Sequence, residues 1–143
     1  MAASMNLKLI TPERVVLEQQ VDMIVARGTA GEFAIMPGHE PMVATLGIDI
    51  FRFSHGGEEE IAAVLGGILE VRDDQVTVLS DVAELGHEIE EERAKQAKER
   101  AEAEKTQKTD KLEVYVSEMA LGRAMTRLKA AELSKVRRRK HQV

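Results

Sequence analysis

From Asn6 to Ser80, apolar and polar residues alternate in short runs. "NLKLI", "VDMIVAR", "GIDIFRF", "GILEVR" and "QVTVLS" each place every second residue on one side, the period of a half-buried strand. Turn residues separate the runs. Thr11-Pro12 breaks the first pair, and His55-Gly56-Gly57 separates "IDIFRF" from "EEIAAVL". Asp73-Asp74 fits the tip of a two-residue hairpin between "ILEV" and "VTVL". The spacing predicts roughly nine or ten short strands folded as an antiparallel β-sandwich or flattened barrel over residues 1–86.

After Gly86 the period changes. "HEIEEERAKQAKERAEAEK" lacks glycine and proline, is rich in helix formers, and is acidic where the positive end of a helix dipole would lie. "TQKTD" interrupts it, and Asp110 with Glu113 makes a capping pair for a second helix that ends on basic residues. Residues 87–143 therefore read as an antiparallel helical hairpin, with helices at about 88–106 and about 111–137. The fold class is α+β in two segregated modules. The first helix offers mostly alanine. The second carries large apolar residues on more than one side: Val114, Leu121, Met125 and Leu128, and Leu112, Tyr115, Met119 and Leu133. One thin alanine-rich helix cannot cover both sides, so the hairpin is expected to be marginal alone and to seek the sandwich or a partner.

Charge sharpens the division. Residues 1–87 carry a balance of −9 and residues 88–143 a balance of +4 within the net −5. There is no cysteine, which excludes disulfides and thiolate chemistry. Only one tyrosine, three phenylalanines and no tryptophan are present, which argues against stacking platforms for nucleic acid. The longest unbroken apolar or glycine run, Ile61 to Leu69, is far short of the roughly 20 residues that cross a bilayer, so no bilayer insertion is expected. The opening "MAASMNLKL" has neither the basic flank nor the apolar centre of a secretory signal.

Three groups of residues could carry function. "GEFAIMPGHEP" joins an apolar run, with Phe33, Ile35 and Met36 expected in the core, to the pair His39 and Glu40. No other histidine has ligand spacing to that pair and no nucleophile motif accompanies it, which leaves a solvated turn or a docking loop. Arg93 and Arg100 are seven apart and share a helix face with Glu90 and Ala97, while Arg123 and Arg127 share a face of the second helix. If the hairpin folds back, four guanidiniums can converge as a planar-fork site for phosphate oxygens; solvated helix faces are the plainer alternative. "KVRRRKH" is a short basic run without aromatic platforms, a weak sign of nucleic-acid binding.

"GEFAIMPGHEPMVATLG", "ERAKQAKERAEAE" and "EMALGRAMTRLKAAE", in this order after a β-rich half, resemble the epsilon subunit family of the bacterial F-type ATP synthase. The resemblance implies a noncatalytic subunit of the rotary central stalk, peripheral to the cytoplasmic side of the bacterial plasma membrane. It implies coupling of rotor torque to ATP synthesis and control of ATP hydrolysis by a mobile hairpin, with proton or sodium coupling left open. Implied partners are the gamma subunit, the ring of c subunits and, with the hairpin extended, the alpha/beta catalytic head. Glu32, His39 and Glu40 would dock on the c ring. The family's I/L-D-x-x-R-A pattern reads here Ile89-Glu90-Glu91-Glu92-Arg93-Ala94, with glutamate for aspartate. Carried over residue by residue, Glu84, Glu90, Arg93, Arg100, Arg123 and Arg127 become ATP contacts. No cofactor is required, and ATP would be a regulatory ligand. With no G-x-x-x-x-G-K-[ST] present, it would be sensed and not hydrolysed. Arg123, Arg127, Arg137, Arg138, Arg139 and Lys140 would meet the catalytic beta subunits. A reading from a different class is a freestanding β-sandwich adaptor whose hairpin binds an unrelated protein.

Overall fold

The computed structural model describes residues 3–107 and 110–141, the side chains of 106–107 and 138–141 excepted. Eight strands are present among the described residues: β1 (Met5–Ile10), β2 (Val15–Val21), β3 (Met23–Gly28), β4 (Gly31–Ile35), β5 (Met42–His55), β6 (Glu58–Arg72), β7 (Gln75–Leu79) and β8 (Ala83–Leu85). They form one folded sheet in the order β2-β1-β7-β6-β5-β3-β4, with β8 also paired to β6. The apolar alternation of the sequence becomes the interior: Met5, Leu7 and Leu9 of β1 meet Phe51 and Phe53 of β5 and Val76 and Val78 of β7 in one buried cluster.

The structure corrects three expectations. The strands number eight because β5 and β6 are 14 and 15 residues long, and "EEIAAVL" and "GILEVR" are one strand. Gly66-Gly67 between them is a corner, not a turn. Both have positive φ, +84° and +134°, and β6 changes partner there, from β8 at Ala62–Val64 to β7 at Ile68–Arg72. Such bends let one strand serve two layers. The sheet is also not wholly antiparallel, since β1 and β7 run parallel over Asn6–Ile10. Within "FAIM" only Ile35 is fully buried; Phe33 packs at the margin of the core and Met36 is 57% exposed, because β4 ends at Ile35 and the chain turns outward. Asp73 and Asp74, at φ 49° and 57°, make the two-residue hairpin turn between β6 and β7.

A short 3-10 turn, Gly86–Glu88, leads to α1 (Glu91–Gln107) and α2 (Lys111–His141). The first helix begins at Glu91, not near 88, because Ile89 is extended (φ −78°, ψ 128°) and its side chain is buried under the hairpin. Asp110 caps α2, its Oδ1 accepting from the Leu112 N–H at 2.8 Å. The helices pack along small residues at seven-residue spacing, Ala94 and Ala101 on α1 and Ser117, Ala124 and Ala131 on α2, all buried. The hairpin lies against the outside of β5 and β6. The seam is a small separate cluster of Ile61, Ala63, Ile89, Ala94, Ala130 and Ala131, flanked by Ile50, Leu128 and Leu133. One of the two apolar sides expected of the second helix remains uncovered towards the hairpin tip, where Leu112 is 70% and Tyr115 59% exposed.

Two glycines separate the stability of the modules. A Cβ on Gly67 would lie 2.2 Å from the Leu79 carbonyl oxygen, inside the sandwich. A Cβ on Gly86 would lie 2.7 Å from the Ala130 oxygen and 2.8 Å from the Ser134 Cβ, both on α2. Gly67→Ala should lower the unfolding free energy of the sandwich by roughly 2–4 kcal/mol. The Cβ on Gly86 would also lie 2.9 Å from the Ile61 oxygen of β6, so Gly86→Ala should force the helical hairpin and β6 apart at their junction, loosening α2 more than the sandwich. In hydrogen exchange it should raise the rates of α1 and α2 selectively; a uniform rise over the whole chain would contradict this separation.

Candidate functional site

A cleft of about 370 Å³ opens where β8, the 3-10 turn and both helices meet. Four residues expected to share a helix face line it: Glu90, just before α1, and Arg93, Ala97 and Arg100 within it. Their spacing of three, four and three keeps them on one side of a 3.6-residue period. Glu84 enters from β8 and Arg127 from α2. Two further wall residues, Glu88 and Gln96, lie outside the pattern carried over from the resemblance. Gln96 was legible from its place three residues beyond Arg93; Glu88 was not, since it depends on the 3-10 turn. Arg123 does not line the cleft. It is exposed one helical turn towards the tip from Arg127.

A carboxylate holds one of the three guanidiniums closely. Arg127 forks onto Glu84, its Nη2 donating to Oε2 at 3.1 Å, while Nε stands 2.8 Å from Oε1 without hydrogen-bond alignment. Both side chains are about two-thirds or more buried, so this pair is less screened than a surface one. Arg93 lies a looser 3.8 Å from Glu90, with both well exposed. Among the described residues no carboxylate pairs with Arg100. The wall therefore presents planar donors from two helices, Arg127 held by Glu84 and Arg93 and Arg100 more loosely placed, at a junction that also touches the sandwich. That arrangement suits an anion with several oxygens.

The other expected residues lie elsewhere. Glu32 sits at the start of β4, 3.7 Å from Arg52 of β5. His39 and Glu40 follow the opposite end of β4, so the strand separates them from Glu32. His39 turns back on its own loop: its N–H donates to the Met36 oxygen at 3.2 Å and its Nδ1 is 2.7 Å from the Glu40 oxygen. The loop is tethered to the β6–β7 turn, the Gly38 N–H donating to Asp74 Oδ1 at 2.7 Å. Arg137 is turned to the sandwich, with Nη2 2.8 Å from Glu59 Oε1. The side chains of Arg138, Arg139 and Lys140 lie outside the described residues. A second cleft of about 260 Å³ separates β2 from the far end of α2, with Leu17, Ile61 and Leu85 as its apolar floor. Glu58, Glu59 and Glu60 line it against a single arginine, Arg137, where the first cleft sets three arginines against its three glutamates, so it suits an anion poorly. Among the described residues no group of three or more His, Asp or Glu is placed to hold a metal ion, and no helix is long and apolar enough to cross a membrane.

Comparison with known proteins covers both modules. Residues 4–86 match the family described as ATP synthase, Delta/Epsilon chain, beta-sandwich domain, and residues 87–132 match its long alpha-helix domain. The ATP synthase epsilon chain of Desulforamulus reducens is 42% identical over 132 residues, spanning 92% of this chain and 100% of that protein. That of Bacillus velezensis is 41% identical over 128 residues, spanning 90% and 97%. A chain in the cryo-EM structure of the Euglena gracilis mitochondrial ATP synthase, OSCP/F1/c-ring, superposes with a TM-score of 0.76 at 29% identity, covering 90% of this chain and 81% of that one. A chain in the central stalk/c-ring structure of the Tetrahymena thermophila mitochondrial ATP synthase shares the fold, with a TM-score of 0.64 at 15% identity over 89% and 96%. Sandwich, hairpin and their order along the chain agree throughout, and the chain belongs to the ATP synthase delta/epsilon chain family.

Proposed function

We propose that this chain is a noncatalytic subunit of the central stalk of a bacterial F-type ATP synthase, and that its hairpin is a brake on ATP hydrolysis released by ATP. It would sit with the gamma subunit above the ring of c subunits, at the cytoplasmic side of the plasma membrane. The observation that carries the regulatory part is the convergence of Arg93, Arg100 and Arg127, from two helices, on one cleft against the sandwich. A triphosphate there bridges α1 and α2 beside β8 and favours the hairpin folded down. Without it, α2 can leave the sandwich and present Arg123, Arg127 and Arg137 to acidic surfaces of the catalytic head. A ligand shifts such an equilibrium only by its differential affinity for the two states; moving it from 1:99 to 99:1 takes about 5.5 kcal/mol.

Residues in the cleft play distinct parts in this reading. Arg93, Arg100 and Arg127 take phosphate oxygens, and Arg123 joins by swinging along α2. Glu84 orients Arg127. Glu90 stands where the I/L-D-x-x-R-A pattern has aspartate, and it lines the cleft with a side chain one methylene longer. The conformation with the hairpin against β5 and β6 is the one in which the cleft exists, so ligand binding and folding down are linked. Glu32, His39 and Glu40 are assigned to c-ring docking, with Asp74 fixing the loop that bears the last two.

Isothermal titration of the full chain with ATP should show saturable binding. Removing Arg93, Arg100 or Arg127 singly by alanine should weaken it roughly tenfold or more, as expected for loss of a hydrogen bond to a charged group. Unchanged binding in all three variants would remove the cleft from the account. In a reconstituted catalytic head with gamma, the full chain should suppress ATP hydrolysis and a chain truncated after Leu85 should not. Equal turnover with both would leave this subunit a coupling piece without a brake.

A further inference from the structure

We propose that Arg14, in the loop between β1 and β2, belongs electrostatically to the cleft and sets its anion affinity by neutralising Glu88. The inference rests on the nucleotide reading of the cleft. Three carboxylates line that cleft, those of Glu84, Glu88 and Glu90, against three guanidiniums, those of Arg93, Arg100 and Arg127. Taken alone, the wall is neutral and a poor receptor for a polyanion. Two of the carboxylates are matched from within the wall, Glu84 by Arg127 and Glu90 by Arg93. The third is matched from outside: Arg14 Nη2 donates to Glu88 Oε2 at 2.8 Å, across a sequence separation of 74 residues. With Arg14 counted, the positive charge of Arg100 is left over for a ligand.

The loop is built to hold this position. The Thr11 N–H donates to the Arg14 oxygen at 2.9 Å, and the Arg14 N–H donates to Thr11 Oγ1 at 3.4 Å, closing a tight turn after Pro12. An arginine is cationic at any physiological pH, and the hydrogen bond and charge of Glu88 raise the Arg14 guanidinium further above its ordinary range. Arg14 is half exposed and Glu88 somewhat less, so the pair adds little to folding. Its effect falls on the ligand, whose several negative charges each feel an unmatched carboxylate on the wall. A unit charge about one Debye length from a triphosphate changes affinity by roughly three- to fivefold at physiological salt, and by more at low salt. Arg14 is thereby a positioning and charge-setting residue that couples the sandwich loop to the hairpin site.

A double-mutant cycle on the full chain tests this, with ATP and with inorganic tripolyphosphate as probes at two salt concentrations. Arg14→Ala should weaken both probes about three- to fivefold at physiological salt and more at low salt. Glu88→Gln should tighten them by a similar factor, Arg14→Lys should stay near wild type, and Arg14→Ala/Glu88→Gln should return to wild-type affinity. If the double variant is as weak as Arg14→Ala, the arginine is only a mechanical strap and the proposal fails. If Arg14→Ala binds like wild type, the proposal fails while the nucleotide reading stands. If the wild-type chain binds neither probe, the nucleotide reading falls and this inference with it.

Discussion

The hairpin has almost no apolar interior of its own, and most of what the molecule can do depends on that. Of the six buried residues in its seam with the sheet, four are alanines, and Ile61 and Ile89 are the only large ones. Fully burying an isoleucine contributes about 1.5–3 kcal/mol and an alanine far less, and Ile50, Leu128 and Leu133 add only partly buried surface. The sandwich interior, with Phe51, Phe53, Met5 and a set of buried leucines and valines, is a separate and much larger cluster. The two modules therefore sit at different points on the stability scale. The proposed ligand control requires a minor population with the hairpin released, and a small seam favours one.

Close approach, not bulk, makes the seam possible. Gly86 lets the Ala130 carbonyl and Ser134 come within a Cβ radius of the chain that leads out of the sandwich. Ile89 stays extended after the 3-10 turn and is driven under α2. Small residues bring α1 and α2 together along one line while Leu112 and Tyr115 stay in solvent. Such an interface has few interlocking side chains to disengage, so separation of the hairpin costs little repacking on either side.

Local periodicity made much of this legible. Alternation marked the strands, the Asp73-Asp74 pair marked the turn that forms there, and the shift to a charged alanine-rich stretch marked α1. What failed was non-local. Nothing in a strand's own pattern says that β1 pairs parallel to β7. Gly66-Gly67 has the composition of a turn, and only the partners on either side, β8 and β7, show it to be a corner in one strand. Met36 belongs to an apolar run but lies past the end of β4, where burial no longer follows hydropathy. In the cleft, helical spacing gave Glu90, Arg93, Ala97 and Arg100 as one face. Glu88 and its partner Arg14 come from a turn and a distant loop, and no spacing rule connects them.

The two kinds of force in the seam respond to different things. Apolar contacts among Ile61, Ile89 and the alanines cannot be exchanged for a solute, so they set a fixed bias towards the folded-down hairpin. The ionic contacts can be exchanged. Glu84 on Arg127 and Glu59 on Arg137 each supply from the sandwich the anion that α2 would otherwise seek from a ligand or a partner. In the proposed reading, a phosphate at Arg127 would compete with Glu84 for donors yet leave α2 in place, because it would also engage α1. In the same reading, an acidic partner surface would compete with Glu59 for Arg137, which is 38% exposed with the hairpin down. Weak apolar packing with replaceable counter-charges would, under the proposed function, let anion identity, and not total binding strength, decide which way the hairpin goes.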